Sequence, residues 1–127
     1  MSFDTKKNDN YSVITFSTDK LDAIVAPDLK SEVVLVSKQG EKNIIIDMAS
    51  VRYCDSSGLS ALLTGHRLCN EAQGSFILCG IQPAVEKLLS ISQLNNVLNI
   101  KVDLPESLDA LFVDEIERKL GTGNLDD

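Results

Sequence analysis

Apolar residues near the N-terminus recur at every second position, which predicts two short strands. The segment Tyr11–Ser17 alternates apolar and polar residues and is rich in β-branched types, as is typical of a half-buried strand. The segment Ser2–Lys6 is a weaker strand candidate. Because Asn8–Asn10 between them is turn chemistry, we predict that the two strands form an antiparallel hairpin.

Beyond residue 20 the spacing of apolar residues switches between helical periodicity and short continuous runs. Apolar positions three and four residues apart predict amphipathic helices, and the short runs predict strands buried on both faces. The first two predicted helices are Val25–Val36 and Ser57–Ala72. A third opens at Pro83 and carries Val85, Leu88 and Leu89, and a terminal helix opens at Pro105 and carries Leu108, Leu111, Phe112 and Ile116. We expect Phe112 to lie in the core. The predicted strands are Asn43–Met48, Ser75–Cys79 and Leu98–Val102.

This order of elements predicts an α/β fold. Strands linked by single helices favour parallel pairing with right-handed crossovers. We therefore expect a mixed sheet of four to five strands, with the N-terminal antiparallel hairpin at one edge and about four helices packed on it. The 127 residues fit one domain, which we place at residues 1–118 and follow with a flexible acidic C-terminal tail at 119–127.

Composition and charge narrow the possible partners. The net charge is −7, from 12 basic and 19 acidic residues without a basic run, which argues against direct nucleic-acid binding or an anionic membrane surface. No stretch approaches the roughly 20 apolar residues of a membrane span, and the N-terminus lacks an apolar signal core, so we expect a cytoplasmic protein without membrane insertion. The cysteines (Cys54, Cys69 and Cys79) are odd in number and widely spaced, which favours buried free thiols over a metal site. We predict no cofactor.

The most informative segment runs from Ala49 to Leu63, where the chain leaves a buried strand, makes a loop and enters a helix. Loops at the carboxyl ends of parallel strands are where α/β proteins place their sites. This loop carries Tyr53, an aromatic of the kind enriched at protein interfaces, shortly before the hydroxyls of Ser56 and Ser57. A functional site is therefore expected here.

The position of Ser56 at the start of the predicted helix has two interpretations. In the structural one, Ser56 is the helix N-cap and Asp55 complements the helix dipole. In the functional one, the unpaired N–H groups of the first turn tolerate a phosphate on Ser56, and Gly58 leaves room for the backbone of another protein. Because phosphorylation adds about −1.5 to −2 charges, it would repel or block a docked partner. The spacing alone leaves both interpretations open.

The run Asp55-Ser56-Ser57-Gly58-Leu59, after the strand Asn43–Met48, resembles the signature of the STAS domain, and most closely that of the bacterial anti-sigma factor antagonists. The resemblance runs from about Ser2 to about Arg118. It is supported in place by Leu21-Asp22 before the first helix, by Gly74 before the strand Ser75–Cys79, and by Ile81–Val85 at the opening of the next helix.

The resemblance implies a phosphorylation switch at Ser56. In the family, this serine is phosphorylated by an anti-sigma factor that is also an ATP-dependent serine kinase. The unmodified antagonist binds that partner and frees the sigma factor, the phosphorylated form lets go, and a serine phosphatase resets it. The chain is then a substrate and not an enzyme. The resemblance also places Asp22, Ser57, Gly58 and Leu59 near the docking surface. With Tyr53 and Asp55 of the loop, these are the predicted partner-binding residues.

Two departures from the family pattern and one alternative function remain open. The family often has glycine at the positions of Asp19 and Gln93, and both changes would alter loop shape. The family also includes soluble STAS subunits of lipid or anion transporter complexes, which is our alternative function for this chain.

Two enzyme-like interpretations fit the residues less well. A serine hydrolase needs a base beside its nucleophile, but the single histidine, His66, follows Ser56 by ten residues, or about 15 Å along one helix. A phosphoacceptor aspartate domain would use Asp47 at the end of a buried strand, with Asp19 and Asp22 holding magnesium. The predicted N-terminal hairpin argues against that fold. We therefore predict no catalytic residue and no metal ligand.

Overall fold

The computed structural model describes residues 2–123 and contains the predicted alternation of strands and helices. The strands are β1 (Phe3–Lys7), β2 (Ser12–Phe16), β3 (Lys20–Leu21), β4 (Ile44–Asp47), β5 (Tyr53–Cys54), β6 (Phe76–Cys79) and β7 (Asn99–Lys101). The helices are α1 (Ala26–Lys38), α2 (Ser56–Glu71), α3 (Pro83–Ile91) and α4 (Leu104–Gly123), with a short 3₁₀ turn at Leu94–Asn96.

The main sheet has five strands in the order β1-β2-β4-β6-β7. The edge strand β1 pairs antiparallel with β2, and every other pair in this sheet is parallel. This confirms the predicted mixed sheet with an N-terminal hairpin at its edge. The register places Val13, Ile45 and Ile77 side by side on one face of the sheet, with their neighbours in sequence on the other.

The helices cover the two faces of the sheet unequally. Helices α1, α2 and α3 pack on the larger core, which includes Ile14, Ile46 and Leu78. Helix α4 alone contributes to the smaller core on the opposite face, where Leu111 packs against Ile45. The central strands are therefore buried on both faces, as their continuous apolar runs predict.

A second, two-stranded sheet was not predicted from the sequence. Strands β3 and β5 pair in parallel, with Lys20 opposite Tyr53 and Leu21 opposite Cys54. Two residues are too few to show a periodicity, so the hydrophobic pattern carries no signal for them. The N–H groups of residues 52 and 53 also donate to the Asp19 carbonyl, at 2.8 and 3.1 Å. This small sheet ties the loop before α1 to the loop before α2.

The terminal helix presents a different face to the sheet from the one predicted. Leu111 is buried, but Phe112 is 66 % exposed and Ile116 is 41 % exposed. The buried face of α4 is narrow, because Leu104, Leu108 and Leu111 pack on the sheet and Phe112, about 100° further round the helix than Leu111, lies outside this face. Placing Phe112 in the core was therefore wrong. The helix also continues through the first part of the predicted tail, to Gly123, and residues 124–127 lie outside the described residues.

The two departures from the family pattern have different consequences for the backbone. Gln93 lies at φ +61°, in the left-handed region that glycine occupies at little cost, so the substitution strains this position. Within residues 2–123, Gln73 is the other non-glycine residue with positive φ, so Asp19 needs no such conformation. Within the same range, no helix combines the length and the hydropathy of a membrane-spanning segment.

Candidate functional site

The hydroxyl of Ser56 lies at the first helical position of α2, and its side chain is exposed. The residue that caps the helix is Asp55, whose backbone is extended and whose Oδ1 accepts a hydrogen bond from the Gly58 N–H at 3.1 Å. The structural interpretation that made Ser56 the N-cap was therefore wrong by one residue. Among the described residues, the Ser56 hydroxyl makes no hydrogen bond, so it does not contribute to the fold through hydrogen bonding.

The loop between β3 and α1 is shaped by Asp22. Its Oδ1 accepts hydrogen bonds from the N–H groups of Ile24 and Val25, at 3.1 and 3.2 Å. These bonds turn the chain into α1 and bury Val25, while the side chain of Ile24 is left 82 % exposed. Asp22 therefore fixes an apolar side chain in solvent on the same loop as itself.

Gly58 brings this loop against the first turn of α2. A Cβ atom on Gly58 would lie 2.5 Å from the Leu21 carbonyl oxygen and 2.7 Å from Cys54 Sγ, so only glycine permits the contact. Gly58 and Leu59 are both buried in the structure. The gap left by Gly58 is thus filled by the chain itself and not open to another protein's backbone. Of the predicted partner-binding residues, these two support the surface from beneath.

Two open grooves flank the start of α2. The first, of about 420 Å³, lies between α1 and α2, and the second, of about 510 Å³, lies between the Asp22 loop and β5. The first is lined by the small residues Ala23, Ala26 and Pro27, by Lys30, and by Ser56, Ser57 and Ser60. The second is lined by Lys20, Asp22, Ala23, Ile24, Tyr53 and Asp55. The structure thus brings together Asp22, Tyr53, Asp55, Ser56 and Ser57 as one continuous surface.

Ile24 and Lys30 also lie on this surface, and neither was predicted from the sequence. Ile24 comes directly before the apolar residues of α1, so its position in the sequence is typical of a core residue. The spacing of apolar residues therefore does not predict that its side chain is exposed. Lys30 lies one position beyond the buried Leu29 and resembles any lysine on a solvated helix face. Neither carries a local signal, because both enter the site only through the packing of α1 against α2.

The Cys54 thiol, which lies next to the site, is unreactive at neutral pH. Burial, with a smaller contribution from the Asp55 carboxylate, raises the pKa of Cys54 from 9.0 to about 12. The thiol therefore stays protonated at neutral pH and is a poor nucleophile. Cys54 packs against the Gly58 position and serves the fold.

The groups needed for the two enzyme-like interpretations do not converge. His66 lines a cavity with Ser75, Asp114 and other polar residues, ten positions beyond Ser56 along α2. Asp47 Oδ1 accepts a hydrogen bond from the Ala49 N–H at 3.0 Å and so shapes the turn that follows β4. Among the described residues, no basic group forms a hydrogen bond with the exposed Ser56 hydroxyl.

Comparison with known proteins places this chain in a family and identifies several relatives. The family model described as STAS domain matches residues 2–107. An anti-sigma-B factor antagonist of Listeria monocytogenes is 25 % identical over 101 residues, which cover 80 % of this chain and 89 % of that protein.

Solved structures with the same fold include two of particular interest. An anti-sigma-factor antagonist (STAS) domain protein from Planctomyces limnophilus superposes with a TM-score of 0.78 at 21 % identity, covering 86 % of this chain and 97 % of its own. The Bacillus cell fate determinant SpoIIAA in its phosphorylated form superposes with a TM-score of 0.67 at 22 % identity, covering 85 % of this chain and 97 % of its own. At these identities the likeness establishes the fold.

Proposed function

The chain belongs to the STAS domain family, and from this premise we propose that it is an anti-sigma factor antagonist switched by phosphorylation of Ser56. Its partner is an anti-sigma factor of the ATP-dependent serine kinase class, which the unmodified chain sequesters so that a sigma factor is released. A serine phosphatase restores the unmodified state. The chain acts as a substrate, and the kinase supplies ATP and magnesium.

The observation that carries the proposal is an exposed hydroxyl next to a groove that is lined by exposed apolar side chains. Ser56 opens α2 in solvent, while Ile24 is 82 % exposed and Tyr53 is 53 % exposed on the neighbouring groove. Exposed aromatic and aliphatic side chains beside polar groups are typical of protein interfaces. A partner that covers Ile24 and Tyr53 would also cover Ser56.

The chemistry requires nothing from this chain beyond that hydroxyl. The Ser56 Oγ attacks the γ-phosphorus of ATP, a P–Oγ bond forms, and the bond to the ADP oxygen breaks. The hydroxyl proton passes to a base of the kinase. The chain tolerates the product because Ser56 lies at a helix N-terminus, where the helix dipole favours negative charge.

The same phosphate is expected to disrupt docking. It adds about two negative charges and a bulky group at the centre of the contact surface. Burying that charge under a partner without new cations costs more than the contacts return. A modification that the free protein accepts and the complex rejects acts as a switch.

A phosphoryl-transfer assay tests the proposal. The chain is mixed with ATP, magnesium and the kinase-type anti-sigma factor encoded in the same genome, and mass spectrometry locates the phosphate. We expect phosphate on Ser56 in the unmodified sequence and none in Ser56→Ala. The matched control is Ser90→Ala, which removes an exposed serine outside both grooves and should be phosphorylated like the unmodified sequence. The measured affinity for the same partner should fall at least about tenfold in Ser56→Asp and be retained in Ser56→Ala.

Contrary results are equally specific. Phosphate on Ser57 with Ser56→Ala unaffected would contradict the assignment of the switch. Absence of both binding and phosphoryl transfer would contradict the proposed partner class and would favour the alternative of a transporter-complex subunit.

A further inference from the structure

We propose that the phosphate on Ser56 turns into the groove between α1 and α2 and pairs there with the Lys30 ammonium group. This inference rests on the proposed function, because it assumes a phosphate on Ser56. It adds a second residue to the switch, one that acts only in the phosphorylated state. It also gives the phosphate a defined direction on the surface of the free protein.

The Ser56 hydroxyl and the Lys30 side chain line the same open groove. Ser56 belongs to the first turn of α2, and Lys30 belongs to the second turn of α1, and both line the same groove of about 420 Å³. That volume far exceeds the roughly 30 Å³ that one water molecule occupies in the liquid, so a phosphate group fits. Besides Lys30, the residues on the α1 side of the groove are two alanines and a proline, all of them small.

The charge of Lys30 is unbalanced inside this groove. Among the described residues it is the single charged residue that lines the groove, where the remaining polar side chains are three serine hydroxyls. Within residues 2–123, the Lys30 side chain makes no ion pair and no hydrogen bond. The Lys30 residue as a whole is half-buried. An anion arriving in the groove therefore meets a cation without a competing partner.

The serines of α2 fit the same role. Ser57 and Ser60 line the groove beside Ser56, and their hydroxyls are able to donate to phosphate oxygens. The first N–H groups of α2 add the positive end of the helix dipole. Lys30 supplies what hydroxyls and dipoles lack, namely a full positive charge opposite the doubly charged phosphate.

The second ionisation of the phosphoserine reports this pairing directly. The chain is prepared with phosphoserine incorporated at position 56 during synthesis, so that no kinase is needed, and the phosphate is titrated by ³¹P NMR. An unperturbed phosphoserine has a second pKa of about 6. A nearby ammonium favours the dianion and lowers that pKa, and we expect a difference of about half a unit between the unmodified sequence and Lys30→Gln.

Two further variants separate charge from structure. Lys30→Arg keeps the positive charge and should keep most of the lowered pKa. Lys38→Gln is the matched control, because Lys38 lies on the same helix, exposed, about 12 Å further along its axis. We expect it to titrate like the unmodified sequence. Equal phosphate pKa values for the unmodified sequence and Lys30→Gln would overturn the inference, and so would an equal shift in Lys38→Gln.

A measurement without substitution of Lys30 covers the case in which Lys30→Gln fails to fold. The amine pKa values of Lys30 and Lys38 are compared by NMR with and without phosphate on Ser56. Pairing should raise the Lys30 value on phosphorylation and leave Lys38 unchanged; an unchanged Lys30 value would overturn the inference. Because the phosphate is installed chemically, this outcome would leave the proposed phosphorylation by a partner kinase standing, and failure of that kinase would leave the pairing with Lys30 testable.

Discussion

The two ends of the parallel strands use polar side chains in opposite ways. At the amino end, Asn43 and Ser75 are nearly fully buried and bonded within the chain. At the carboxyl end, Ser56 is exposed, its hydroxyl makes no hydrogen bond among the described residues, and exposed apolar side chains lie on the neighbouring groove. Both ends carry serines next to helices, so residue type alone does not distinguish them.

The amino end is a network that holds α4 on the sheet. The Asn43 Nδ2 group donates to the Asn10 carbonyl at 2.9 Å and to a Glu115 carboxylate oxygen at 3.1 Å, and Asn43 Oδ1 accepts from the Ser75 N–H at 2.9 Å. The Ser75 hydroxyl donates to Asp114 at 3.1 Å and accepts a short hydrogen bond from the guanidinium of Arg118. Three residues of α4 are thus tied to the strands through polar contacts.

Hydrogen bonding within the chain separates polar residues that stabilise the fold from polar residues that are available to a partner. Groups satisfied within the chain are already committed, and their loss costs stability. Groups left to water beside apolar side chains contribute little to stability and remain available to a partner. The comparison therefore predicts large stability effects at the amino end and small ones at Ser56.

The largest expected effect is at Asn43. Replacing it by alanine removes three hydrogen bonds and leaves the buried Ser75 N–H without its acceptor, so Asn43→Ala should lower the free energy of unfolding by about 2–3 kcal/mol. Urea unfolding measures the change. The matched control is Asn95→Ala, because Asn95 is exposed and its side chain makes no hydrogen bond among the described residues. We expect that control to stay within about 0.5 kcal/mol of the unmodified sequence.

Equal losses of unfolding free energy in Asn43→Ala and Asn95→Ala would contradict the structural role that we assign to the polar side chains at the amino end of the strands. They would mean that the polar network contributes no more to stability than surface contacts do, and that α4 is held on the sheet by its apolar residues alone.

A smaller effect concerns two thiols, one near each end. Burial raises the pKa of both Cys54 and Cys69 from 9.0 to about 12. In the unfolded chain the thiols ionise near pH 9, while in the folded chain they stay protonated, so the unfolded state binds fewer protons above pH 9. Stability is therefore fully present below pH 9 and falls as the pH rises towards 12. Each thiol should account for about 1 kcal/mol of loss between pH 8 and pH 10.

Urea unfolding of Cys54→Ala and Cys69→Ala at these two pH values measures the contributions separately. Each variant should lose about 1 kcal/mol less between pH 8 and pH 10 than the unmodified sequence does. Similar values at the two ends would show that burial, common to both, sets this property. A variant with an unchanged pH dependence would show that its thiol ionises in the fold as it does in the unfolded chain.

The main sheet was predictable because its strands are buried on both faces. Runs such as Asn43–Met48 and Ser75–Cys79 leave little alternative to central parallel strands, and Pro27 and Gly40 mark the limits of α1. The outer face of α4 was not predictable in the same way. Phe112 lies next to Leu111 in the sequence, and the apolar and polar contacts of α4 with the sheet place Leu111 inward and leave Phe112 in solvent.

The candidate site was predictable in its centre and not at its edges. The loop after a buried parallel strand and the serine at a helix start point to Ser56 from the sequence alone. Ile24 and Lys30 join the site through the pairing of β3 with β5 and the packing of α1 on α2, which are contacts between distant segments. The sequence predicted that the missing side chain of Gly58 permits a close backbone approach. In the structure the approaching backbone is that of Leu21 in the same chain, not that of a partner.

The smallest expected effect decides between the two roles considered for Ser56. Because Asp55 caps α2 and Ser56 is the first helical residue, Asp55→Ala should lower the free energy of unfolding by about 1 kcal/mol and Ser56→Ala by less than about 0.5 kcal/mol. Urea unfolding of the two single variants gives the comparison, and Asp55→Asn, which keeps a capping oxygen, should lose less than Asp55→Ala. If Ser56→Ala lost as much as Asp55→Ala, the hydroxyl would be serving the helix after all. A group that stabilises its own fold is not free to be modified without cost, and the contrast between the two ends of the sheet would then fail at the residue on which it depends most.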